Sequence, residues 1–560
     1  MQSFDLIALN SRYSHSCLAL FYVRQELARH LPAAAVRLHQ HTINDPYYST
    51  LLRCAESGAD ALFFPVYIWN AGYVERLLRD LARIQPTRPL VLGGPQAEVL
   101  RDLPPCCTVV RGEIEGVGEQ FYLDLAVGTL APVYQAEAGG HFPSPYAVAD
   151  FAGPLANRLI YYESSRGCPF RCSYCLSSVQ RGVRHKELPQ VEAELARILA
   201  HSPRIIKFVD RTFNDHPARA LAIWRFLAAQ PQPTRYHFEI APGRFSEEMF
   251  AFLQTLSPGR FQFEIGIQST NPETLAAIDR GMDLSVALAN IRRLAALDTV
   301  HLHVDLILGL PFETRESFRR GVNAVFALAP HHIQMGLLKV LPTTPISHDA
   351  AQFGLVSCAQ PPYEVLATGW LAHRELSALH ALGECVELFY NNQYFPTLWR
   401  VLRKSGSEPF SFFQNLLAVC RQHGFFDLSP TQELLTRMLC ELARARADRD
   451  LLLELLRYDW LSCGHRFLPP FLETRPLAEL RAELRGQLPP SMAGCYEVRG
   501  RSEFLKRGMF LELSGRALAE IGLTDDGAAA TVCFLPVEQP GAAGRIRVLV
   551  LALARKGEGA

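Results

Sequence analysis

The stretch Glu163-Ser-Ser-Arg-Gly-Cys-Pro-Phe-Arg-Cys-Ser-Tyr-Cys-Leu176 decides how the rest of this 560-residue chain is interpreted. It places Cys168, Cys172 and Cys175 at C-x3-C-x2-C spacing, with a loop-forming glycine and proline on either side of the first cysteine. Three thiolates on one short loop can ligate three irons of a 4Fe–4S cubane. The fourth iron then has no cysteine and is open to a small chelating ligand. The alternative is three unrelated cysteines in a turn.

At these residues the sequence resembles the radical SAM superfamily. The resemblance implies that the open iron holds the amino and carboxylate groups of S-adenosylmethionine (SAM). Reductive cleavage of SAM in that superfamily gives methionine and a 5′-deoxyadenosyl radical. It also implies an external reductant such as a flavodoxin or ferredoxin. Within the cysteine stretch, Phe170 and Tyr174 are candidate SAM contacts.

Residues 156–350 contain six candidate strands separated by helical patterns. This alternation predicts a partial (βα)6 barrel with its functional groups at the carboxyl ends of the strands. The strands are predicted at residues 159–163, 205–209, 236–240, 261–267, 301–308 and 333–338.

Loop motifs at the ends of these strands resemble the SAM-contacting motifs of the superfamily, namely E-x-G-x-Q-S on the fourth strand and D-x-I-x-G-L-P-x-E-T on the fifth. The SAM contacts that the resemblance implies are Asp210 and Thr212 for the amino group, Glu264 and Gln268 for the ribose hydroxyls, Arg280 for the carboxylate, and Gly309 and Leu310 for the adenine. The alternatives are a salt-bridged strand residue for Glu264 and an exposed arginine for Arg280.

Residues 1–135 alternate short apolar strands with helices, which predicts a doubly wound parallel sheet with ligands above the carboxyl ends of its strands. This arrangement ahead of the cysteine motif resembles the cobalamin-binding domain of cobalamin-dependent radical SAM enzymes. The candidate cobalamin contacts lie in the loops after the strands and are His15, Tyr67, Trp69, Asn70, Gly93 and Gly94. Ordinary packing is the alternative for Trp69.

His15 has an open role. In the wider cobalamin fold, a D-x-H-x-x-G stretch follows the first strand and its histidine ligates cobalt. The corresponding Tyr13-Ser-His-Ser-Cys-Leu18 keeps the histidine but lacks the Asp and the Gly. His15 is a cobalt ligand, a nearby polar contact or a residue at the start of the helix. Because the Asp that would orient the imidazole is missing, we expect an axial position filled by water or left empty.

The rest of the sequence indicates how the chain is organised and which kinds of partner it has. Residues 136–155 read as a linker rich in Gly, Ala and Pro, and residues 351–560 as a mostly helical substrate or accessory domain ending in strands, with helices at 366–388 and 430–456. The net charge is zero, with 56 basic and 56 acidic residues, which argues against a broad nucleic-acid footprint. No apolar run approaches the ~20 residues of a membrane helix. The scattered cysteines indicate reduced thiols and a cytoplasmic location.

The function that these features favour is a cobalamin-dependent radical methyltransferase acting on an unactivated carbon of a small-molecule or peptide substrate. The alternatives are a radical oxidoreductase or cyclase without methyl transfer, a methylthiotransferase, and a cobalamin or redox sensor without catalysis. The methylthiotransferase is disfavoured because its relatives carry further grouped cysteines in the N-terminal domain. No catalytic residue and no substrate can be identified from the sequence.

Overall fold

The computed structural model describes residues 2–137, 141–178, 182–488, 500–524, 527–537 and 546–551. The chain divides into two compact units. The first comprises Met1–Gly321, Leu328–Pro330 and Met335–Ser377, and the second comprises Val322–Ala327, His331–Gln334 and Ala378–Ala560. Within the described ranges, no helix has both the length and the apolar character needed to cross a membrane.

The N-terminal part of the first unit is a six-stranded parallel sheet with helices on both faces, in the strand order β2-β1-β3-β4-β5-β6. Its elements are β1 (Ser3–Asn10), α1 (Leu18–His30), β2 (Ala35–Thr42), α2 (Tyr47–Ala55), β3 (Ala61–Pro65), α3 (Ala71–Ile84), β4 (Leu90–Gly93), β5 (Cys107–Arg111), α4 (Glu119–Val127) and β6 (Val133–Gln135). The order reverses between β1 and β3. A crevice at such a reversal is where open α/β sheets bind ligands.

Strand β1 is buried on both faces, as its nearly continuous apolar sequence requires. Leu6 packs in the core formed with α1 and α4, whereas Ile7 packs in the core formed with α2 and α3. The doubly wound sheet predicted for residues 1–135 is therefore confirmed. The sixth strand, β6, was not predicted because its three residues are half exposed and carry no periodic signal.

The chain then builds the barrel. The second sheet has the strand order β14-β13-β12-β11-β10-β7. The elements of this part are α5 (Val148–Ala152), β7 (Ile160–Tyr162), β8 (Ser165–Gly167), β9 (Val183–His185), α6 (Leu188–Leu199), β10 (Ile205–Phe208), α7 (Pro217–Ala228), β11 (Arg235–Glu239), α8 (Glu247–Gln254), β12 (Phe261–Gln268), α9 (Pro272–Ala277), α10 (Leu284–Leu297), β13 (Val300–Leu308), α11 (Arg315–Ala327), β14 (His332–Leu337), α12 (Pro345–His348), β15 (Val356–Ser357) and β16 (Val365–Ala367).

All six predicted barrel strands are present within one or two residues. Buried and partly exposed residues alternate along β12 and β13. The fully buried residues face the surrounding helices, and the alternate positions face the inside of the barrel. Because these inward positions are mostly polar, the barrel interior is suited to a polar ligand. The segment predicted as a linker contains α5, which is held to α1 by an ion pair between Arg24 and Asp150 at 2.6 Å.

The rest of the described chain is mainly helical and ends in a three-stranded antiparallel sheet of order β17-β18-β19. Its elements are α13 (His373–Phe389), α14 (Pro396–Lys404), α15 (Pro409–Gln422), α16 (Gln432–Arg444), α17 (Arg449–Ser462), α18 (Leu477–Gln487), α19 (Arg501–Arg507), β17 (Met509–Leu513), α20 (Gly515–Ile521), β18 (Ala530–Pro536) and β19 (Ile546–Val550). Asp459 is buried and accepts hydrogen bonds from the Thr397 and Leu398 amides, which caps the start of α14.

Two helix predictions in this region were wrong. The helix predicted from residue 366 begins at His373, because Val365–Ala367 pairs with Val356–Ser357 in an antiparallel ladder. The helix predicted over 430–456 is two helices, α16 and α17. Between them the Arg446 guanidinium folds onto the Asp448 carboxylate at 2.8 Å and holds a turn. Helical periodicity continues through both places, so the sequence pattern gave no sign of the interruption.

Candidate active site

The three cysteines lie on a loop whose ends are joined by the antiparallel β8–β9 hairpin. Strand β8 leads directly into Cys168, and Gly167 pairs with Val183 of β9. Gly167 has a φ of +99°, and a Cβ at this position would lie 2.1 Å from the Gly182 carbonyl oxygen. Only glycine fits such a close approach of two backbones. The hairpin, which was not predicted, therefore closes the base of the cysteine loop.

Two of the three thiols contact polar side chains. Cys172 is buried, and burial raises the pKa of its thiol against the opposing effect of the Arg280 guanidinium, whose Nη1 lies 3.4 Å from Cys172 Sγ. Cys168 Sγ lies 3.5 Å from Thr212 Oγ1. Cys175 ends a tight turn in which its amide donates to the Cys172 carbonyl. The predicted SAM residues Thr212 and Arg280 thus lie beside the cysteines.

The cysteine loop fits a cubane by its donor chemistry. All three cysteines are free thiols. Among the described residues, no three His, Cys, Asp or Glu side chains converge as the ligands of one metal ion would. A cubane does not require that convergence, because each cysteine binds a different corner iron.

The middle of the loop is held from two sides by backbone hydrogen bonds. The Ser173 amide donates to the Ile278 carbonyl at 2.9 Å, and the Ser173 carbonyl accepts from the Ile346 amide at 3.0 Å. Phe170, a predicted SAM contact, lies 5.7 Å from the Arg280 guanidinium, measured from the ring centroid. The loop is therefore positioned by the end of α9 and by the start of α12.

The predicted amino-group contact Asp210 is fully occupied by protein partners. Its carboxylate accepts from the Ser164 amide at 2.9 Å and from the Ser164 and Ser165 hydroxyls at 2.6 Å. These bonds join the end of β10 to the strand that enters the cysteine loop. The Asp210 side chain therefore fixes the loop, and any ligand contact at this position falls to Thr212 or to backbone carbonyls.

Inside the barrel, the Glu264 carboxylate contacts His237 and Lys207. Its Oε2 lies 2.9 Å from His237 Nε2 and 3.4 Å from Lys207 Nζ. Burial would raise the pKa of Glu264, but the hydrogen bond from His237 and the charge of Lys207 outweigh it and lower the pKa to about 2. The carboxylate is thus an ionised hydrogen-bond acceptor, as contact with sugar hydroxyls would need.

Two further carboxyl groups face the same interior, and the sequence reasoning gave them no role. Burial raises the pKa of Glu239 to about 7, with Glu264 adding to the rise and Arg211 opposing it. Burial also raises the pKa of Asp305 well above its usual range, and its Oδ1 is buried without a hydrogen-bond partner among the described residues. An unpartnered buried acceptor indicates a place for a ligand with donor groups.

The other predicted SAM positions, Gln268, Gly309 and Leu310, have the following surroundings. Gln268 has a φ of +73°, and its amide covers Gly266 so closely that a Cβ there would lie 2.0 Å from Gln268 Nε2. Gly309 has a φ of +84°, and a Cβ there would lie 2.6 Å from Val365 Cγ1. Leu310 is fully buried, backbone and side chain alike.

A second feature of the first unit is a cavity of about 550 Å³ above the carboxyl ends of β1, β3, β4 and β5. All six candidate cobalamin contacts line it, namely His15, Tyr67, Trp69, Asn70, Gly93 and Gly94. A volume of this size lies within the range of organic cofactor sites. A Cβ on Gly93 would make only an ordinary contact of 3.8 Å with Val110. The protein itself does not require glycine there, which leaves a bare backbone facing the cavity.

Asn70 also has a structural role, and Tyr67 and Trp69 contact each other. The Asn70 amide is buried and donates to the Leu9 and Pro65 carbonyls, which joins the ends of β1 and β3 at the reversal of strand order. Tyr67 and Trp69 stack on each other with ring centroids 4.5 Å apart, and Trp69 is 46% exposed. Trp69 is therefore not ordinary core packing.

His15 contacts the barrel part of the unit. Its Nδ1 lies 2.5 Å from the Tyr161 hydroxyl, and Arg158 donates to its backbone carbonyl at 2.8 Å. Burial lowers the pKa of His15, with Lys207 and Arg12 adding to the effect. Tyr161 thus occupies the orienting position for which the sequence offered no acidic residue.

An ion-pair network connects the cavity to the cysteine hairpin. Arg166, on β8, is 13% exposed and contacts Glu113 at 2.9 Å, Glu115 at 2.7 Å and Glu163 at 2.5 Å. Arg184, on β9, also pairs with Glu113. All of these residues except Arg184 line the cavity. The loop after β5 is thereby fixed to the hairpin that carries the cysteines.

Sequence reasoning missed several of these groups, including Tyr161, Arg166, Lys207, His237, Glu239 and Asp305. The available signal was alternation of polar residues on strands whose other face is apolar. This pattern identifies inward positions but not which of them are close in space.

Comparison with known proteins agrees with this geometry. Residues 162–324 match the family described as the radical SAM superfamily, and residues 351–488 match the family described as protein of unknown function (DUF4080). The chain therefore contains a domain of the radical SAM class followed by a DUF4080 region. A 4Fe–4S cluster and SAM follow as cofactors from that class.

The more particular likeness is to methyltransferases. The chain is 26% identical over 336 residues to 2-(S-pantetheinyl)-carbapenam-3-carboxylate methyltransferase of Streptantibioticus cattleyicolor, covering 51% of this chain and 48% of that protein. It is 26% identical over 346 residues to the cobalamin-dependent radical SAM methyltransferase TokK of Streptomyces tokunonensis, covering 53% and 49%. The chain thus spans about half the length of the curated relatives that it matches.

The fold is similar to a solved structure over most of its length. The cobalamin-dependent SAM radical enzyme OxsB, with aqua-cobalamin and SAM bound, matches with a TM-score of 0.57 and 13% identity over 90% of this chain and 83% of that chain. At this identity the likeness concerns the fold, and it confirms a mixed α/β architecture with a helical C-terminal region.

Proposed function

We propose that this protein is a cobalamin-dependent radical SAM enzyme that methylates an unactivated carbon. The observation that carries the proposal is the shared wall of the two candidate sites. Glu163, Arg166 and Arg211 line the 550 Å³ cavity, and each belongs to a segment that directly supports the cysteine loop. A ligand in the cavity and a ligand at the cysteines would therefore meet at the carboxyl ends of β7 and β10.

Under this proposal, Cys168, Cys172 and Cys175 hold the cluster, and the barrel end holds SAM. When bound, the cluster and SAM supply a carbon-centred radical, and cobalamin supplies the methyl group. Glu264 would accept and Gln268 would donate a hydrogen bond at the ribose, Thr212 would serve the amino group, and the segment of Gly309 and Leu310 would lie nearest the adenine. The unpartnered Asp305 Oδ1 adds a position that favours a hydrogen-bond donor of the ligand.

The cavity residues would hold the corrin by shape and by apolar contact. Gly93 and Gly94 expose backbone, Tyr67 and Trp69 present a stacked aromatic wall, and His15 is oriented by Tyr161. Glu113, Glu115 and Glu163 in the wall are balanced by Arg166, by Arg184 and by Arg211, so a neutral, amide-bearing ligand would meet little uncompensated charge.

The domain boundaries that we propose are 1–135 for the cobalamin-binding domain, 136–155 for a connecting segment, 156–350 for the radical SAM barrel and 351–560 for a substrate or accessory domain. The partners are a small-molecule or peptide substrate and an external one-electron reductant such as a flavodoxin or ferredoxin. The methyltransferase names of the two curated relatives support methyl transfer over the oxidoreductase or cyclase alternative.

The test is a product assay on the full chain, reconstituted without oxygen with iron, sulfide and cobalamin and then given SAM and a reductant. We expect both 5′-deoxyadenosine and S-adenosylhomocysteine, with 5′-deoxyadenosine lost in Cys172→Ala and kept in Cys106→Ala, a matched change at a half-buried cysteine outside the motif. 5′-Deoxyadenosine without S-adenosylhomocysteine would contradict methyl transfer and favour the oxidoreductase or cyclase. No SAM cleavage at all would contradict the enzyme and favour a sensor.

A further inference from the structure

Arg280 contacts a cysteine of the motif directly, although the sequence resemblance gave it only a role toward the SAM carboxylate. Its Nη1 donates to Cys172 Sγ at 3.4 Å, and its Nη2 donates to the Gly266 carbonyl. The guanidinium carries five N–H donors and is always charged. A permanent positive charge therefore lies against one sulfur of the proposed cluster.

The position of this guanidinium is fixed by the fold. The Arg280 amide donates to the Leu275 carbonyl at 3.0 Å, just after the end of α9. Two residues earlier, the Ile278 carbonyl accepts from the Ser173 amide of the cysteine loop. The end of α9 and the cysteine loop are thus joined by one backbone hydrogen bond and one side-chain hydrogen bond. The contact with sulfur is a consequence of this docking.

Hydrogen bonds to cluster sulfurs and local charge are two of the factors that set the reduction potential of an iron–sulfur cluster. A reduced cubane carries one more negative charge than the oxidised one. A cation that also donates a hydrogen bond to a ligand sulfur stabilises the reduced form more than the oxidised form. Arg280 does both at Cys172.

We propose that Arg280 raises the reduction potential of the cluster by its charge and its N–H···S bond to Cys172, and so makes the cluster easier to reduce. The inference rests on the proposed function, because it requires the cubane. One electron passes from an external low-potential donor to the cluster, and no bond or proton at Arg280 changes. Arg280 thus acts through the cluster, by setting how easily the cluster accepts the electron.

The same side chain keeps a donor for SAM. Nε is buried and has no hydrogen-bond partner among the described residues. A carboxylate at Nε would leave the Nη1 contact with sulfur unchanged. One guanidinium would then serve the cluster through Nη1 and an anionic ligand through Nε, so the two roles are separable by experiment.

The test is a mediated redox titration of the reconstituted full-length protein without SAM, followed by electron paramagnetic resonance of the reduced cluster. Arg280→Gln should shift the potential to a more negative value than in the unchanged protein, and Arg280→Lys should shift it less because the charge remains. Arg244→Gln is the matched control. Arg244 lies 5.5 Å from the same Phe170 ring but donates to the Asp215 carbonyl instead of to a sulfur. Its potential should equal that of the unchanged protein.

Equal potentials in the unchanged protein, Arg280→Gln and Arg280→Lys would overturn the inference, even if Arg280→Gln weakened SAM binding in equilibrium dialysis. A shift of the same size in Arg244→Gln would also overturn it, because general charge and not the contact would then be responsible. Absence of a reducible cubane in the unchanged protein is a different result, since it contradicts the proposed function itself. Where Arg280→Gln does not assemble a cluster, the Arg280→Lys comparison decides.

Discussion

Glu239 is an example of a residue whose chemistry is determined by where the strand places it. It is the last residue of β11 and faces the barrel interior, and burial raises the pKa of its carboxyl to about 7. The neighbouring Glu264 instead has a pKa lowered to about 2, because His237 and Lys207 contact it directly. Two carboxyl groups in one cavity thus have opposite protonation preferences, which suits one as a donor and the other as an acceptor.

The raised pKa of Glu239 predicts a pH-dependent stability. Between the unfolded value of 4.5 and the folded value of about 7, the native state binds more protons than the unfolded state, so stability decreases as the pH rises through this window. Glu239→Gln removes the titrating group. We expect the variant without cofactors to be more stable than the unchanged protein at pH 8, by up to about 3 kcal/mol, and this gain to vanish as the pH falls below the unfolded value of 4.5. Urea unfolding at a series of pH values measures it.

Glu264→Gln is the matched change in the same cavity. Because its folded pKa is lowered, it loses an interaction that is present at neutral pH and disappears only as the pH falls from 4.5 toward about 2. The two variants should therefore differ in sign at pH 8. A gain for Glu239→Gln that does not depend on pH would contradict the burial explanation.

For individual residues, the sequence identified groups that act together only where they lie close to each other in the chain. The three cysteines were identifiable because the loop that holds them is continuous in the chain. Arg280 beside Cys172 and Tyr161 beside His15 are separated by 108 and 146 residues. No local pattern encodes such distances, and only the folded chain brings the groups together.

The β8–β9 hairpin connects the N-terminal sheet to the loop that carries the cysteines. Arg166 on β8 makes the main contact, since its guanidinium pairs with three carboxylates. Removing one partner from a buried charge network leaves the other charges uncompensated.

Arg166→Gln should therefore destabilise the first unit by about 3–5 kcal/mol, as for other buried ion pairs that lose one partner. Arg184→Gln is the control on the opposite strand of the hairpin. Its side chain is 35% exposed, and we expect a loss of only about 0–1 kcal/mol. Urea unfolding monitored at neutral pH compares the two. Equal losses would contradict the assignment of Arg166 as the residue that joins the hairpin to the β5 loop.

Prediction of elements succeeded for long periodic segments and failed for short ones. The six barrel strands were identifiable because apolar and polar residues alternate over four or more positions on most of them. The three-residue strands β6, β8 and β9 are too short to show a period, and they are formed by pairing with distant segments. The break between α16 and α17 likewise depends on a local turn that keeps the apolar stripe in phase.

At the scale of the whole molecule, a doubly wound sheet with a cavity is followed by a partial barrel with a cysteine loop. Fold class could be predicted for both, because strand–helix alternation and parallel order are properties of the sequence pattern. The shared wall between the two sites could not, because it consists of the loop after β5, the hairpin and the Arg211 loop, which the chain brings together only through tertiary packing.

The cavity assignment predicts a steric effect on cobalamin binding. Gly93→Val adds a side chain where the backbone meets the cavity, and its conformation and neighbours tolerate one because the nearest atom is 3.8 Å away. We expect at least a tenfold loss of affinity for aquacobalamin, about 1.4 kcal/mol, with unchanged far-UV circular dichroism. Gly72→Val is the control, since a Cβ there meets nothing within 4 Å and the residue does not line the cavity. Equal affinity in all three proteins by absorbance titration would place cobalamin elsewhere.

The most direct test of the central claim is Mössbauer spectroscopy of the protein reconstituted without oxygen with ⁵⁷Fe and sulfide, alone and with SAM. The account predicts one 4Fe–4S cubane per chain, with one iron whose signal changes when SAM is added, and its complete loss in Cys168→Ala/Cys172→Ala/Cys175→Ala. A cubane that survives this triple substitution, or four equivalent irons that do not respond to SAM, would contradict it.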